Sequence, residues 1–103
     1  MKTFGDLEIN DCLYFIDKVG HLTIHTVTHI TSLIDDIGEK VKITLDNTMI
    51  KYYLSNLTKH ESDKYSVFVN KDMALRHLNV LLNQQCQIHN SILKSITALQ
   101  NEN

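Results

Sequence analysis

The sequence has no proline, one arginine and only three glycines in 103 residues. The glycines, at positions 5, 20 and 38, stand at apparent turns, so the chain lacks the glycine-rich loop that cradles phosphates. It also lacks a G-x-S-x-G segment, which would place a nucleophile on a sharp turn. Because these site signatures are missing, we predict a non-enzymatic protein with no cofactor.

Cysteines and long apolar runs are also scarce. Cys12 and Cys86 are far apart and form no C-x-x-C pair, so we predict reduced thiols rather than a disulfide scaffold. The first eleven residues lack the apolar stretch of a secretory signal, and runs such as LYFI at 13–16 are too short to cross a bilayer. The expected location is therefore the cytoplasm, without membrane contact.

Length and charge give weaker indications. A chain of 103 residues is expected to form a single structural domain whose stability would benefit from assembly. We divide it into a small β-barrel at 1–69 and a C-terminal helix at 70–103. The net charge of −2 gives no general attraction to nucleic acid.

Residues 22–34 are rich in β-branched side chains, which favour a strand. In a strand, one parity would face the core: Leu22, Ile24, Ile30 and Ile34. A helix remains an alternative, because the apolar residues from Ile24 to Ile34 are also spaced three or four apart.

Three histidines, His21, His25 and His29, would fall on the other face of that strand. Residues four apart on a strand are separated by roughly 13 Å, too far to share one zinc ion, whereas on a helix two of them would stack one turn apart. A metal site would also need ligands from the distant C-x-x-H pair, Cys86 and His89. We therefore predict no metal site and assign the histidines no role.

The segment EKVKITLDNTMIKYYLS predicts a hairpin, with a two-residue turn at Asp46-Asn47. Counting outward from such a turn gives the core-side pairs Leu45 with Thr48, Ile43 with Ile50, and Val41 with Tyr52. The outer side would then carry a candidate nucleic-acid contact made of Lys40, Lys42, Lys51 and Tyr53. A solvated face, on which Glu39 and Asp46 offset the lysines, explains the same residues.

Two further strands are expected at 12–16 and 65–69, and the polar segment 55–64 is expected to be a loop. Five short strands with tight connections are expected to curl into a barrel, because closure removes exposed edges.

At Asn70 the apolar period changes to that of a helix, with Asn70 as N-cap and Asp72 in the first turn. The rest of the chain contains no glycine or proline, so one helix can run to about residue 100 unless it breaks near 89–91.

This helix is poor in charge, because Lys94 is its only formally charged residue from His77 to Asn101. Neutral amides are cheaper to desolvate than charges, which suits a protein interface. The predicted interface is a stripe at spacings of three and four: Leu78, Leu82, Gln85, His89, Ile92, Ile96 and Leu99. A single broad stripe facing the barrel of a monomer explains the same spacing.

The segments GDLEINDCLYFID, ITLDNTMIKYYLS and YSVFVNKDMALRHL, in this order, resemble small SH3-like barrel proteins with a C-terminal helix, as in accessory proteins of tailed, crAss-like bacteriophages. In LEIND, Asn10 replaces the glycine of the Leu-x-x-Gly-Asp turn common in such barrels. The resemblance implies an α+β fold, with a five-stranded SH3-like antiparallel β-barrel followed by a long C-terminal α-helix. It also implies a role as virion accessory protein, adaptor or nucleic-acid binder, in host cytoplasm or virion.

The function expected first is a protein-protein assembly module, such as a minor or auxiliary capsid or neck protein. Its helix stripe would dock onto copies of itself or onto another protein. The alternative is a KOW-like or SH3-like regulator that contacts nucleic acid through the basic face of the hairpin.

Overall fold

The computed structural model describes residues 1–84 and 89–101. The protein is α+β, with six antiparallel strands that form a curled half-barrel and two helices. The elements are a 3-10 turn (Phe4–Asp6), β1 (Cys12–Asp17), β2 (Leu22–Asp35), β3 (Gly38–Leu45), β4 (Met49–Leu54), β5 (Lys59–Glu61), β6 (Tyr65–Phe68), α1 (Lys71–Gln84) and α2 (His89–Gln100). The strand order is β4-β3-β2-β1-β6-β5. A strand lies at each of the five predicted places, but β5, within the segment predicted as a loop, makes six strands rather than the predicted five.

Two helices stand in place of the predicted single one. The first begins directly after Asn70, as predicted, and ends at Gln84, and the second begins at His89. They pack against each other and on the sheet, where Leu78 of α1 and Leu99 of α2 belong to the same buried cluster. A continuous helix would overhang the sheet, whereas two helices bury their apolar residues together over it.

The long strand β2 belongs to both halves of the sheet. Its first residues, Leu22 to Thr26, pair with β1, and its later residues pair with β3. The register shifts between Val27 and His29. Because side chains alternate along a strand, one extra residue turns all later side chains to the opposite face.

The bulge makes the predicted common core face of β2 wrong. Leu22 packs on the helix side of the sheet, and Ile30 packs inside the half-barrel. Ile24 is 37% exposed, and Ile34 near the hairpin end is 86% exposed.

Two apolar clusters lie on opposite sides of the sheet. The barrel core, inside the curl, consists of Phe4, Leu7, Leu13, Phe15, Val27, Val41, Ile43, Leu45, Tyr53, Val67 and Val69. The helix-side core consists of Tyr14, Ile16, Phe68, Ala74, Leu78, Ile92, Ile96 and Leu99. Strand β1 contributes alternate residues to both clusters, which explains why LYFI is apolar throughout.

The turn between β1 and β2 fastens α2 to the sheet. Gly20 has φ of +82°, and a Cβ at this position would lie 2.4 Å from Cγ1 of Ile92. Ser95 Oγ donates to the Gly20 carbonyl at 2.7 Å and accepts the Leu22 N–H at 3.1 Å. Only glycine permits both this backbone conformation and this close approach of the helix.

Candidate functional site

The helix stripe predicted as an external interface lies mainly inside the protein. Leu78, Ile92 and Leu99 are fully buried, Ile96 is 8% exposed, and Leu82 packs against the same cluster. Gln85 and the side chain of His89 lie outside the described part of the chain. Because the helices fold onto β1 and β6, four of the seven predicted contacts are already enclosed by the chain itself. The described residues match the core-facing alternative.

The turn between β3 and β4 contains the predicted Asp46 and Asn47, but it also includes Thr48 and is therefore three residues long instead of two. Asp46 and Asn47 have φ of +52° and +64°, and the Thr48 N–H donates to the Leu45 carbonyl at 3.0 Å. However, the ladder places Leu45 opposite Met49 rather than Thr48. The predicted register is therefore wrong by one residue along the whole of β4.

This shift divides the predicted basic face. Tyr53 is 4% exposed and stacks on Phe4, with 4.2 Å between the ring centroids. Burial raises the pKa of Tyr53 above its usual range. Lys51 lies opposite Ile43, on the inner side, whereas Lys42 lies opposite Tyr52, on the outer side. The four predicted contact residues therefore do not form one surface.

The outer side of β2, β3 and β4 presents a three-by-three array of side chains, which we call the outer face. Its rows across the three strands are His29, Thr44 and Ile50; Thr31, Lys42 and Tyr52; and Leu33, Lys40 and Leu54. None of the nine residues is buried. Standard strand spacings give the array a size of about 10 Å by about 13 Å. Tyr52 is 56% exposed, Ile50 52% and Leu33 39%.

The outer face is positively charged, although the whole chain is acidic. Lys40 forms an ion pair with Asp35 at 3.0 Å, and this contact lowers the pKa of the Asp35 carboxyl. For Lys42, the described residues provide no carboxylate within 4.0 Å. The face therefore offers apolar contact together with an unneutralised cation.

The β3–β4 turn is attached to β2 beside the bulge. Asp46 accepts the Thr26 N–H at 3.0 Å through Oδ1, and its own N–H donates to the Thr26 carbonyl at 2.9 Å. Its Oδ2 lies 2.6 Å from Nδ1 of His25, and the Asn47 N–H donates to Thr28 Oγ1 at 3.1 Å. The hydrogen bonds from His25 and Thr26 lower the pKa of Asp46.

The three histidines do not share a face, because the bulge lies between them. His25 is on the inner side, paired with Asp46. His21 is exposed in the β1–β2 turn, and His29 is exposed on the outer face. Among the residues that the structure describes, no three metal-ligating side chains come together, and Cys86 lies outside them.

The open side of the half-barrel contains a second feature, which we call the inner cleft. It has a volume of about 250 Å³ and is lined by Phe15, Thr23, His25, Met49, Lys51 and Tyr65. Further along the barrel, Tyr53 of β4 contacts His60 of β5, with ring centroids 5.3 Å apart. This contact links the two edge strands, and the cleft lies at the other end of the gap between them.

Comparisons of the chain with protein-family models, with curated proteins and with solved structures give no match. Within residues 1–84 and 89–101, neither helix has the length and apolar character needed to span a bilayer.

Proposed function

We propose that the protein is a non-enzymatic docking module that binds another protein through its outer face. The observation that carries this proposal is the exposure of Leu33, Ile50 and Tyr52 on one uncovered array of the sheet. The helices cover β1 and β6 on the same side of the sheet, where every large apolar side chain of β1 is buried. No described element packs on the outer face, so its apolar side chains remain available to a partner.

The composition of the outer face favours a protein partner with acidic groups. Tyr52 stands in the middle row and supplies an aromatic contact, as central interface residues often do. Lys42, beside it, would pair with a carboxylate of the partner. A second copy of the chain fits less well, because face-to-face contact would bring Lys40 and Lys42 of both copies together.

The wider setting follows from the sequence resemblance alone. If the half-barrel belongs with the small SH3-like barrels of tailed phages, the module would attach to a larger assembly such as a capsid or neck. In this proposal the half-barrel is a rigid support, and the outer face replaces the helix stripe as the docking surface.

Selection from a displayed library of short peptides tests the proposal with a matched pair of variants. We expect the selected peptides to combine apolar and acidic residues, and Ile50→Ser to weaken their binding at least tenfold. The control is Val80→Ser on α1, because Val80 is 51% exposed and Ile50 52%; it should leave affinity within twofold. Selected peptides that bind both variants equally, or that lack acidic residues, would contradict the proposal.

A second candidate, nucleic-acid contact, is favoured by the direct cross-strand pairing of Lys42 with Tyr52. A base could stack on the ring while the lysine contacts a phosphate. This function predicts salt-sensitive binding of single-stranded oligonucleotides that Lys42→Glu abolishes. If no oligonucleotide binds at low ionic strength, this candidate is excluded and the protein-docking proposal is unaffected.

A further inference from the structure

The inner cleft contains a lysine where an aliphatic residue would be expected. Lys51 lies opposite the fully buried Ile43 and is itself only partly exposed. Among the described residues it has no carboxylate within 4.0 Å. A lysine that lines an apolar cleft and has no carboxylate partner can form a charge-assisted hydrogen bond to an anion bound there.

His25 provides a second polar group for the same anion. The Asp46 carboxylate accepts from Nδ1 at 2.6 Å, so Nε2 is the ring nitrogen that remains for a ligand in the cleft, and it donates to an anion when the ring is the doubly protonated imidazolium. Both carboxylate oxygens of Asp46 are already engaged, by His25 and by the Thr26 N–H. The cleft lining itself contains no carboxylate that would repel an anion.

The remaining walls of the cleft are aromatic and apolar. Phe15 is 4% exposed and forms the floor. The rings of His25 and Tyr65 stand at 76° and 66° to it, with centroids 4.9 Å and 5.9 Å away. Met49 lines the cleft as well, and a thioether packs well against aromatic rings. Steep rings above an apolar floor form a slot that suits a flat ring.

We propose that the inner cleft binds a small aromatic anion, whose ring enters the slot beside Phe15 and Tyr65 while its anionic group contacts Lys51 and His25. The volume of about 250 Å³ accommodates one ring with one substituent. This site is separate from the outer face, because Lys51 points to the inner side and its neighbours Ile50 and Tyr52 point outward.

Titration of the labelled protein, followed by amide NMR shifts, tests the site with two probes, phenyl phosphate and phenylacetate. We expect saturable shifts at Thr23, His25, Lys51 and Tyr65 with at least one probe, and the better probe identifies the anionic group as phosphate or carboxylate. Benzyl alcohol, which lacks the anion, and inorganic phosphate or acetate, which lack the ring, should each bind at least tenfold more weakly. These arms use the unmodified protein and do not depend on the folding of any variant.

A matched pair of lysine variants then assigns the charge. Lys51→Gln should raise the dissociation constant of the better probe at least tenfold, whereas Lys42→Gln on the outer face should change it less than twofold. The proposal is overturned if neither probe shifts the cleft residues, if an anion without a ring binds equally well, or if both lysine variants weaken binding equally.

Discussion

The two halves of the sheet are built on the same backbone pattern but differ in what covers them. Strand β1 is buried on both faces, by the barrel core on one side and by the helices on the other. Strand β3 alternates strictly, with Val41, Ile43 and Leu45 buried and the two residues between them partly exposed. The difference is visible in the sequence, where LYFI is a continuous apolar run and VKITL alternates. A sheet with one covered face keeps its other face available for binding.

The largest expected effect comes from placing a charge in the covered half. Ile92→Asp should destabilise the fold by about 4 kcal/mol or more, because the carboxylate would be buried without a partner against the β1–β2 turn. Ile50→Asp, in the uncovered half, should cost about 1 kcal/mol or less, because Ile50 is half exposed and the main loss is strand propensity. Urea unfolding followed by circular dichroism measures both. Equal losses in the two variants would mean that the outer face is covered after all.

Adjacent tyrosines of β4 sharpen the comparison within one strand. Tyr53→Ala should cost about 3 to 5 kcal/mol, because it removes a buried ring stacked on Phe4. Tyr52→Ala should cost less than about 1 kcal/mol, because that ring is more than half exposed. Thermal or denaturant unfolding separates them. If Tyr52→Ala cost more stability than Tyr53→Ala, the register given by the predicted two-residue turn would be correct instead.

A smaller effect tests the attachment of the β3–β4 turn to β2. The pKa of Asp46 is lowered in the folded protein, so its contribution is fully present above the usual carboxyl value of about 4 and is lost as pH falls through the lower folded value. Asp46→Asn should therefore be less stable than the unmodified protein at pH 7, and the gap should close in acid. Unfolding curves at several pH values measure this gap.

Asp36→Asn is the matched control for that series, since Asp36 is exposed in the neighbouring β2–β3 turn. It should follow the pH dependence of the unmodified protein. A constant gap for Asp46→Asn down to the most acidic pH would indicate a packing effect instead of the loss of an ionised contact.

Local patterns predict much of the fold. Five strands and the start of α1 at Lys71 follow from alternation, β-branched composition and the change of apolar period at Asn70, which act over a few residues. The positive φ values of Asp46 and Asn47 follow from residue type in the same way. The strand β5 could not be predicted, because its three polar residues, at 59–61, gain strand geometry only by pairing with β6.

The faces of the strands depend on contacts that are distant in sequence. The bulge at Thr28 and the additional Thr48 are linked by hydrogen bonds between β2 and the β3–β4 turn, and nothing within either segment specifies them. This is why the predicted nucleic-acid face combined residues from both sides of the sheet, and why the cleft residues His25 and Lys51 were not brought together. The low charge of the helices predicts an external partner, but the described residues of the stripe are mainly buried within the chain.

The additional residue at Thr48 has a consequence for how such proteins diverge. Shortening the turn by one residue would shift the register of β4 by one, which moves each of its side chains to the other face of the sheet. Ile50 and Tyr52 would then point inward, and Lys51 and Tyr53 outward. A single insertion or deletion can thus exchange the side chains that β4 contributes to both surfaces at once, whereas gradual substitution would need several steps.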